Sequence, residues 1–360
     1  MTSPSFVITG GGTGGHLFPA LAFAEALQRK GVLAESIRFI GAERGLEATV
    51  IPERGFSVDL LPGRGFPRRL DWENAKNAGT TLKATRLARK ILKRQPPSLV
   101  VGFGGYASAP TIFAAKSMRI PMMIHEQNAV VGAVNRIAVR LGATAAVSWP
   151  ETPLPGAIVV GNPVREDVLT ARWNPQGKLH VSIVGGSLGA KTLNEAGLGL
   201  LALWNERDVV LKHACGPRNF DEVSKAAAAL QADLPQGQLS YELRPFENDM
   251  AHMYATSHIV IGRAGASSVA ELAVVGTPSV LVPLPGAPGD HQTRNARALS
   301  DHGGAILLAD HDCTAQSVSD AVDRAADPES LKKMHLSAIQ QARPDAADRL
   351  AQIALEKVNA

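Results

Sequence analysis

The chain has 360 residues, 45% apolar and 19% charged, with a formal net charge of +4. That length suggests about two domains, each able to bury a core, and the apolar fraction excludes wholesale disorder. Aromatics at 5% argue against a base-stacking surface. Two cysteines, Cys215 and Cys313, cannot build a disulfide framework and fit a reducing compartment.

The sequence holds no run of 18 apolar residues, so no transmembrane helix is expected. The N-terminus reads as a strand entering a glycine loop rather than as a signal peptide, and the protein is expected in the cytosol. Charge is uneven. Residues 1–160 carry +9 and residues 161–360 carry −5, which suggests that one half faces an anionic partner.

Along the chain, short apolar strands, glycine turns and amphipathic helices alternate. Phe6–Thr9 reads as the first strand. It enters Gly10–Gly15 and a helix from about Pro19 to Lys30, with Pro19 in the first turn. Ile37–Ile40, Leu99–Gly102, Pro121–His125, Ala143–Val147 and Ile158–Val160 follow as strands. A helix is expected near Pro110–Met118. The rhythm restarts at His180–Val184 and Gly185–Gly189. Strands follow at Val209–His213, Ser240–Leu243, His258–Ile261 and Ser279–Val282. Buried strands alternating with helices imply parallel sheets covered on both faces, hence two Rossmann-like doubly wound domains. The boundary is expected near residue 160, in the Pro/Gly-rich stretch Pro153–Pro163. A final helix, about Asp345–Val358, has Leu350, Ile353, Ala354 and Val358 on one face.

Seven loops at strand ends could carry chemistry. GGGTGGH (Gly10–His16) fits G-x-G-x-x-G, whose glycines allow close backbone approach and whose helix start attracts anions. The acidic residue that a dinucleotide would need has only Glu43 as a poor candidate. His16 just past the glycines is either a helix-end or core histidine or a working one. GFGGYASAP (Gly102–Pro110) places Tyr106 and Ser108 at a strand-to-helix turn. HEQNAVVGAVNR (His125–Arg136) puts four polar residues after a buried strand. Glu126 and Asn128 are its better candidates for substrate hydroxyls, with a helix cap as the alternative for Asn128. GNPVR offers Arg165 for a phosphate. GGSLGA repeats the glycine logic with Ser187. GRAGASSVAEL offers the turn at Ala264–Ser268 and Glu271, whose carboxylate could accept both hydroxyls of a ribose. In GDHQTRNA, Asp290 and Gln292 are expected to cap a helix. No metal-ligand spacing stands out, and Asp310–Asp312 has no supporting cluster.

In this order and spacing, over about residues 6–300, the motifs resemble the MurG family. Its members are the UDP-N-acetylglucosamine:undecaprenyl-pyrophosphoryl-MurNAc-pentapeptide N-acetylglucosaminyltransferases of bacterial peptidoglycan synthesis. The resemblance implies a GT-B fold, two Rossmann-like domains facing each other across a cleft. Residues 1–160 would be an acceptor and membrane-associating domain with helix 345–360 packed back on it. Residues 161–344 would bind the donor, UDP-N-acetylglucosamine. It also implies inverting transfer to the C4 hydroxyl of the lipid-linked MurNAc-pentapeptide, with no cofactor and no metal. The residues that match donor positions are Thr13, Gly14, Gly15, Asn128, Arg165, Ser187, Ala266, Ser267, Ser268, Glu271 and Gln292. Glu271 would hold the ribose diol, Ser187 and the Ala266–Ser268 turn the pyrophosphate, and Gln292 and Asn128 the sugar. The uracil would meet backbone near Phe246 and Glu247, where an apolar residue is familiar in place of Glu247. His16, Tyr106 and Glu126 match acceptor-side or catalytic positions. His16 is the candidate base, because imidazole titrates nearest neutral pH, and Glu126 is its competitor.

The acceptor implied is lipid-linked, at the cytoplasmic face of the membrane. Residues 63–94 hold 10 Lys and Arg against 2 Asp and Glu. Arg64, Arg68, Arg69, Arg86, Arg89 and Lys90 could hold the protein peripherally to anionic lipid. Nucleic acid is not expected as a partner, since no binding motif accompanies the charge. Three other classes stay open on the residues alone: an NAD-dependent oxidoreductase resting on Gly10, Gly12 and Gly15, a non-hydrolysing UDP-sugar epimerase, and a non-catalytic membrane-surface protein.

Overall fold

The computed structural model describes residues 4–12, 14–43, 45–62 and 73–359, with backbone alone for 73–78. Contacts divide the chain into two units, Met1–Arg165 with Arg343–Ala360, and Glu166–Ala342.

In the first unit seven strands pair in parallel. They are β1 (Phe6–Thr9), β2 (Ile37–Ala42), β3 (Ser57–Leu61), β4 (Leu99–Gly102), β5 (Met122–Glu126), β6 (Thr144–Val147) and β7 (Ile158–Val159). Their order is β3-β2-β1-β4-β5-β6-β7. The direction of winding therefore reverses between β1 and β4, and open sheets of this kind bind ligands at that reversal. The helices are α1 (Gly14–Arg29), α2 (Glu47–Glu53), α3 (Glu73–Arg94), α4 (Ala109–Ser117) and α5 (Ala133–Arg140). Alternate side chains of β1 feed opposite faces. Phe6 and Ile8 join α1 and the chain's last helix in one core, while Val7 joins Ala84, Ala88 and Ile91 of α3 in another.

The second unit repeats the plan after the short helix α6 (Glu166–Thr170). Its strands are β8 (Leu179–Val184), β9 (Val209–Ala214), β10 (Ser240–Arg244), β11 (Ile259–Gly262), β12 (Ser279–Leu281) and β13 (Ala305–Leu307). The order is β10-β9-β8-β11-β12-β13, again parallel, with the reversal between β8 and β11. The helices are α7 (Lys191–Leu203), α8 (Phe220–Asp233), α9 (Met250–Thr256), α10 (Ala266–Val275), α11 (His291–Ser300), α12 (Ala315–Ala325) and α13 (Pro328–Gln340). Trp204 is fully buried beside α7 and α12, and its indole N–H donates to Ser319 Oγ at 2.8 Å.

Two parallel doubly wound sheets are what the strand rhythm implied. Three details differ from the sequence reading. Helix α1 begins at Gly14, five residues before Pro19, so the proline sits inside it and removes one backbone bond in the second turn. Strands β3 and β13 are additional to those read from the sequence; each is a partly buried strand at a sheet edge. The last helix, α14 (Ala346–Asn359), docks on the first unit against α1. Leu350 and Ala354 are buried there, Ile353 and Val358 pack at the margin, and Arg29 pairs with Asp348 at 2.9 Å.

Candidate functional site

At the first reversal, the glycine turns after β1 and β4 meet backbone to backbone. A Cβ on Gly105 would lie 2.5 Å from the Gly11 carbonyl, and one on Gly10 would lie 2.8 Å from Phe103 Cβ. A third element enters from α2. Glu47, 1% exposed, accepts the Gly12 N–H at 2.5 Å through Oε1. Gly11 has φ +146°, and a Cβ there would sit 1.6 Å from the same oxygen, so the loop is glycine partly to admit this carboxylate. Gly12 in turn abuts the Tyr106 ring. Burial and then the Glu47 charge raise the Tyr106 phenol above its usual range, which keeps it a hydrogen-bond donor. The sequence reading missed Glu47 and weighed Glu43, which is exposed past the end of β2.

His16, half-buried in the first turn of α1, faces Gln127, with Nδ1 3.1 Å from the amide oxygen. Gln127 Nε2 donates to the His125 carbonyl and to His125 Nδ1, each at 3.2 Å. His125 Nε2 reaches the Gly161 carbonyl at 2.8 Å. Burial lowers the His125 imidazole to about 4, so it is neutral.

Glu126, also buried, has both oxygens engaged. Oε1 accepts from the Asn128 N–H and side-chain amide, and Oε2 from the Gly132 N–H and Asn135 Nδ2. Its carboxylate is committed to shaping the 126–135 loop, and among the described residues His16, the other candidate base, has a ring nitrogen, Nε2, with no hydrogen-bond partner. Asn128 is not a helix cap, since α5 is capped by Gly132. The Arg165 guanidinium stacks 4.9 Å over the Phe18 ring. Gly14 and Gly15 open α1, where backbone N–H groups point out of the helix end. Thr13 lies outside the described residues, as do Arg64, Arg68 and Arg69.

At the second reversal, β8 runs into an exposed turn, Gly186–Leu188, closed by the Gly189 N–H to the Gly186 carbonyl at 3.0 Å. Ser187 is exposed on it. The turn rests on backbone: a Cβ on Gly189, whose φ is +76°, would lie 2.1 Å from the Cys215 carbonyl. That carbonyl accepts Asn194 Nδ2 at 3.0 Å, Asn194 Oδ1 meets His213 Nε2, and His213 Nδ1 meets the Tyr241 hydroxyl. Burial lowers His213 to about 4. After β11, helix α10 starts at Ala266, so Ala266, Ser267 and Ser268 are its first turn rather than a turn before it. Glu271 lies one turn on, 6% exposed, and receives the Tyr254 hydroxyl on Oε2 at 3.0 Å. Gln292 Oε1 accepts the Leu284 N–H and Asp290 Oδ1 accepts the Thr293 hydroxyl, so neither side chain caps α11. Glu247 braces its own loop, accepting from Arg244 and from the Asp249 N–H, while Phe246 is 43% exposed. Asp310 is paired with Arg263. Among the described residues no three His, Cys, Asp or Glu side chains group as a metal site.

Two doubly wound parallel sheets, each with glycine-rich loops at its own reversal, are an architecture that nucleotide-sugar glycosyltransferases use. The N-terminal domain model of glycosyltransferase family 28 matches residues 6–147 and the C-terminal domain model residues 180–350. The chain belongs to glycosyltransferase family 28 and, within it, to the MurG transferases. It is 35% identical to the UDP-N-acetylglucosamine–N-acetylmuramyl-(pentapeptide) pyrophosphoryl-undecaprenol N-acetylglucosamine transferase of Leuconostoc citreum over 97% of both chains. It is 34% identical to the enzyme of that name from Halothermothrix orenii over 96% of both. The crystal structure of Acinetobacter baumannii MurG, 32% identical, superposes with a TM-score of 0.80 over 98% of this chain and 99% of that one. The kitacinnamycin glycosyltransferase, 15% identical, shares the fold at a TM-score of 0.70 over 99% of each chain.

Proposed function

We propose that this chain transfers N-acetylglucosamine from UDP-N-acetylglucosamine to the C4 hydroxyl of undecaprenyl-pyrophosphoryl-MurNAc-pentapeptide, with inversion at the anomeric carbon. The observation that carries the donor half is the carboxyl edge of the second sheet. Two anion-receptive turns, Gly185–Gly189 and Gly265–Ser268, flank its reversal, with the buried carboxylate of Glu271 one turn along α10. The turns suit a pyrophosphate, and the carboxylate suits a ribose diol. His16 Nε2 takes the proton of the attacking hydroxyl. The C4 oxygen bonds to the anomeric carbon as the bond to UDP breaks and its electron pair leaves on the β-phosphate. Backbone N–H groups at the second-unit turns stabilise that charge.

The test is UDP release from UDP-N-acetylglucosamine with and without the lipid-linked acceptor. Release only with acceptor is expected. Bound UDP without release in either case would sink the reading.

We further infer peripheral attachment at the cytoplasmic membrane face through α3. Its side chains Lys83, Arg86, Arg89, Lys90, Lys93 and Arg94 are exposed opposite a buried Ala84, Ala88, Ile91 and Leu92, and Leu82 is 50% exposed. Each cation near anionic lipid is worth about 1 kcal/mol. Among the described residues no helix is long and apolar enough to cross a membrane. Sedimentation with anionic but not neutral vesicles, lost when Lys83, Arg86 and Lys90 become Gln, is the expected result.

A further inference from the structure

The hydrogen bonds that run from His16 into the core fix the proton positions. His125 is neutral, so one ring nitrogen carries a proton and the other a lone pair. Nε2 faces the Gly161 carbonyl at 2.8 Å, which only accepts, so the proton is on Nε2. Nδ1 then accepts, and the group facing it, Gln127 Nε2, donates. That amide nitrogen also meets the His125 carbonyl, a second acceptor, which fixes the orientation of the Gln127 amide. Its oxygen is therefore the atom turned to His16 Nδ1. An amide oxygen only accepts, so the neutral His16 ring holds its proton on Nδ1 and its lone pair on Nε2.

We infer that Gln127 and His125 are positioning residues, which hold His16 in the one tautomer whose Nε2 can take a proton from a substrate hydroxyl. This inference rests on the transferase reading of the site. The chain starts at a main-chain carbonyl and runs through two side chains that are 1% exposed or less. Among the described residues no carboxylate takes part in it, so when Nε2 is protonated the Gln127 amide oxygen on Nδ1 faces the new positive charge. The neighbouring carboxylate, Glu126, has both oxygens spent on its own loop. Phe103, whose ring lies 5.5 Å from that of His125, and the backbone of Gly104 and Gly105 pack about the two histidines. Gly105 has no room for a side chain there, with its Cβ position 3.1 Å from His16 Cδ2.

The test is the imidazole nitrogen spectrum of the full-length protein, with His16 assigned by its loss in His16→Gln, alongside steady-state kinetics. In the wild type His16 should show a protonated Nδ1 and a bare Nε2. Gln127→Met keeps the volume and removes both amide ends. It should give a mixture of tautomers and lower kcat about 10- to 100-fold, with the donor KM and UDP affinity within about twofold. Gln127→Glu keeps an oxygen for the His16 Nδ1–H, adds a charge and gives up the donor to His125. It should keep the single His16 tautomer and move the acid limb of the pH profile to higher pH. His16 protonated on Nε2 in the wild type would overturn the inference, as would a Gln127→Met protein with unchanged tautomer and kcat. A Gln127→Glu protein whose His16 tautomers are mixed as in Gln127→Met would also overturn it. The spectrum needs no turnover. A wild type that binds UDP, shows the Nδ1–H tautomer and transfers nothing would refute the transferase reading and leave the assignment of the proton standing.

Discussion

The two units carry the same device, a glycine turn at the reversal of a parallel sheet, and finish it differently. In the first, the turn is occupied by the protein itself: Glu47 takes the Gly12 N–H and fills the space where a Gly11 side chain would be. In the second, Gly186, Ser187 and Leu188 are exposed, and the turn is closed by its own backbone and seated on Cys215. The same sequence motif thus gives a turn that carries its own anion and a turn left open to one. On the proposed function the pyrophosphate falls to the second, while the first presents the side chains of His16 and Tyr106 beside the N–H groups that open α1. On this comparison, changes in the first unit should affect the chemical step and spare UDP binding, and changes in the second should do the reverse.

The largest separation is expected from His16→Ala. Loss of a general base costs about 10²- to 10⁴-fold, so kcat should fall by about a thousandfold while UDP affinity, measured by calorimetry, stays within about twofold. A matching loss of UDP affinity would break the division of labour.

Acid should loosen both units through one buried histidine in each. His125 and His213 are held near 4, below the ordinary value of about 6.5 that they regain on unfolding. The unfolded chain therefore binds protons first as pH falls. Stability from the neutral rings is complete above about pH 6.5 and is lost progressively toward pH 4, by up to about 3 kcal/mol for each ring. Melting between pH 7 and 4.5 should show this slope. In His125→Phe it should shrink for the first unit alone.

In the open turn, Gly189→Ala places a Cβ against the Cys215 carbonyl at positive φ, a strain of about 1 to 3 kcal/mol. UDP affinity should drop about tenfold and the second unit should melt earlier. Gly11→Ala, whose Cβ meets Glu47 instead, should leave UDP affinity unchanged. Equal effects of the two substitutions on UDP would erase the contrast between the turns.

Much of this architecture is legible in the sequence, because fully buried parallel strands such as FVIT and IVIG read as short apolar runs ending in glycine. The motif loops were legible for the same reason, since glycine marks where backbone crowds backbone. What was not legible is which side chains meet across the fold. Gln127 stands in a conspicuous polar run, yet its partner is 111 positions away. Glu47 looks like an ordinary first-turn acid of a seven-residue helix. Its burial follows from the packing of its side chain against Gly11, Gly12, Gly41 and Gly45, which no local periodicity encodes. Glu126 is the converse case: the sequence offers a carboxylate at a strand end, and only the structure shows that both its oxygens accept from the loop that follows.

The smallest effect sharpens the comparison most. Glu47 Oε1 is bonded, but Oε2 is buried with no hydrogen-bond partner among the described residues. A carboxylate in that state is costly to the fold, and its value to the turn is one accepted N–H. Glu47→Gln keeps an oxygen for Gly12 and removes the charge, so stability should change by no more than about 1 kcal/mol. Glu47→Ala leaves that N–H without an acceptor and should cost about 1 to 3 kcal/mol, offset in part by relief of the buried charge. Chemical denaturation of both variants measures the balance. If Glu47→Ala proves more stable than the wild type, the carboxylate is held against the interest of the fold, and its role is to keep the Gly11–Gly12 turn in place beside Tyr106. The acceptor KM of Glu47→Gln would then rise while its donor KM stayed level.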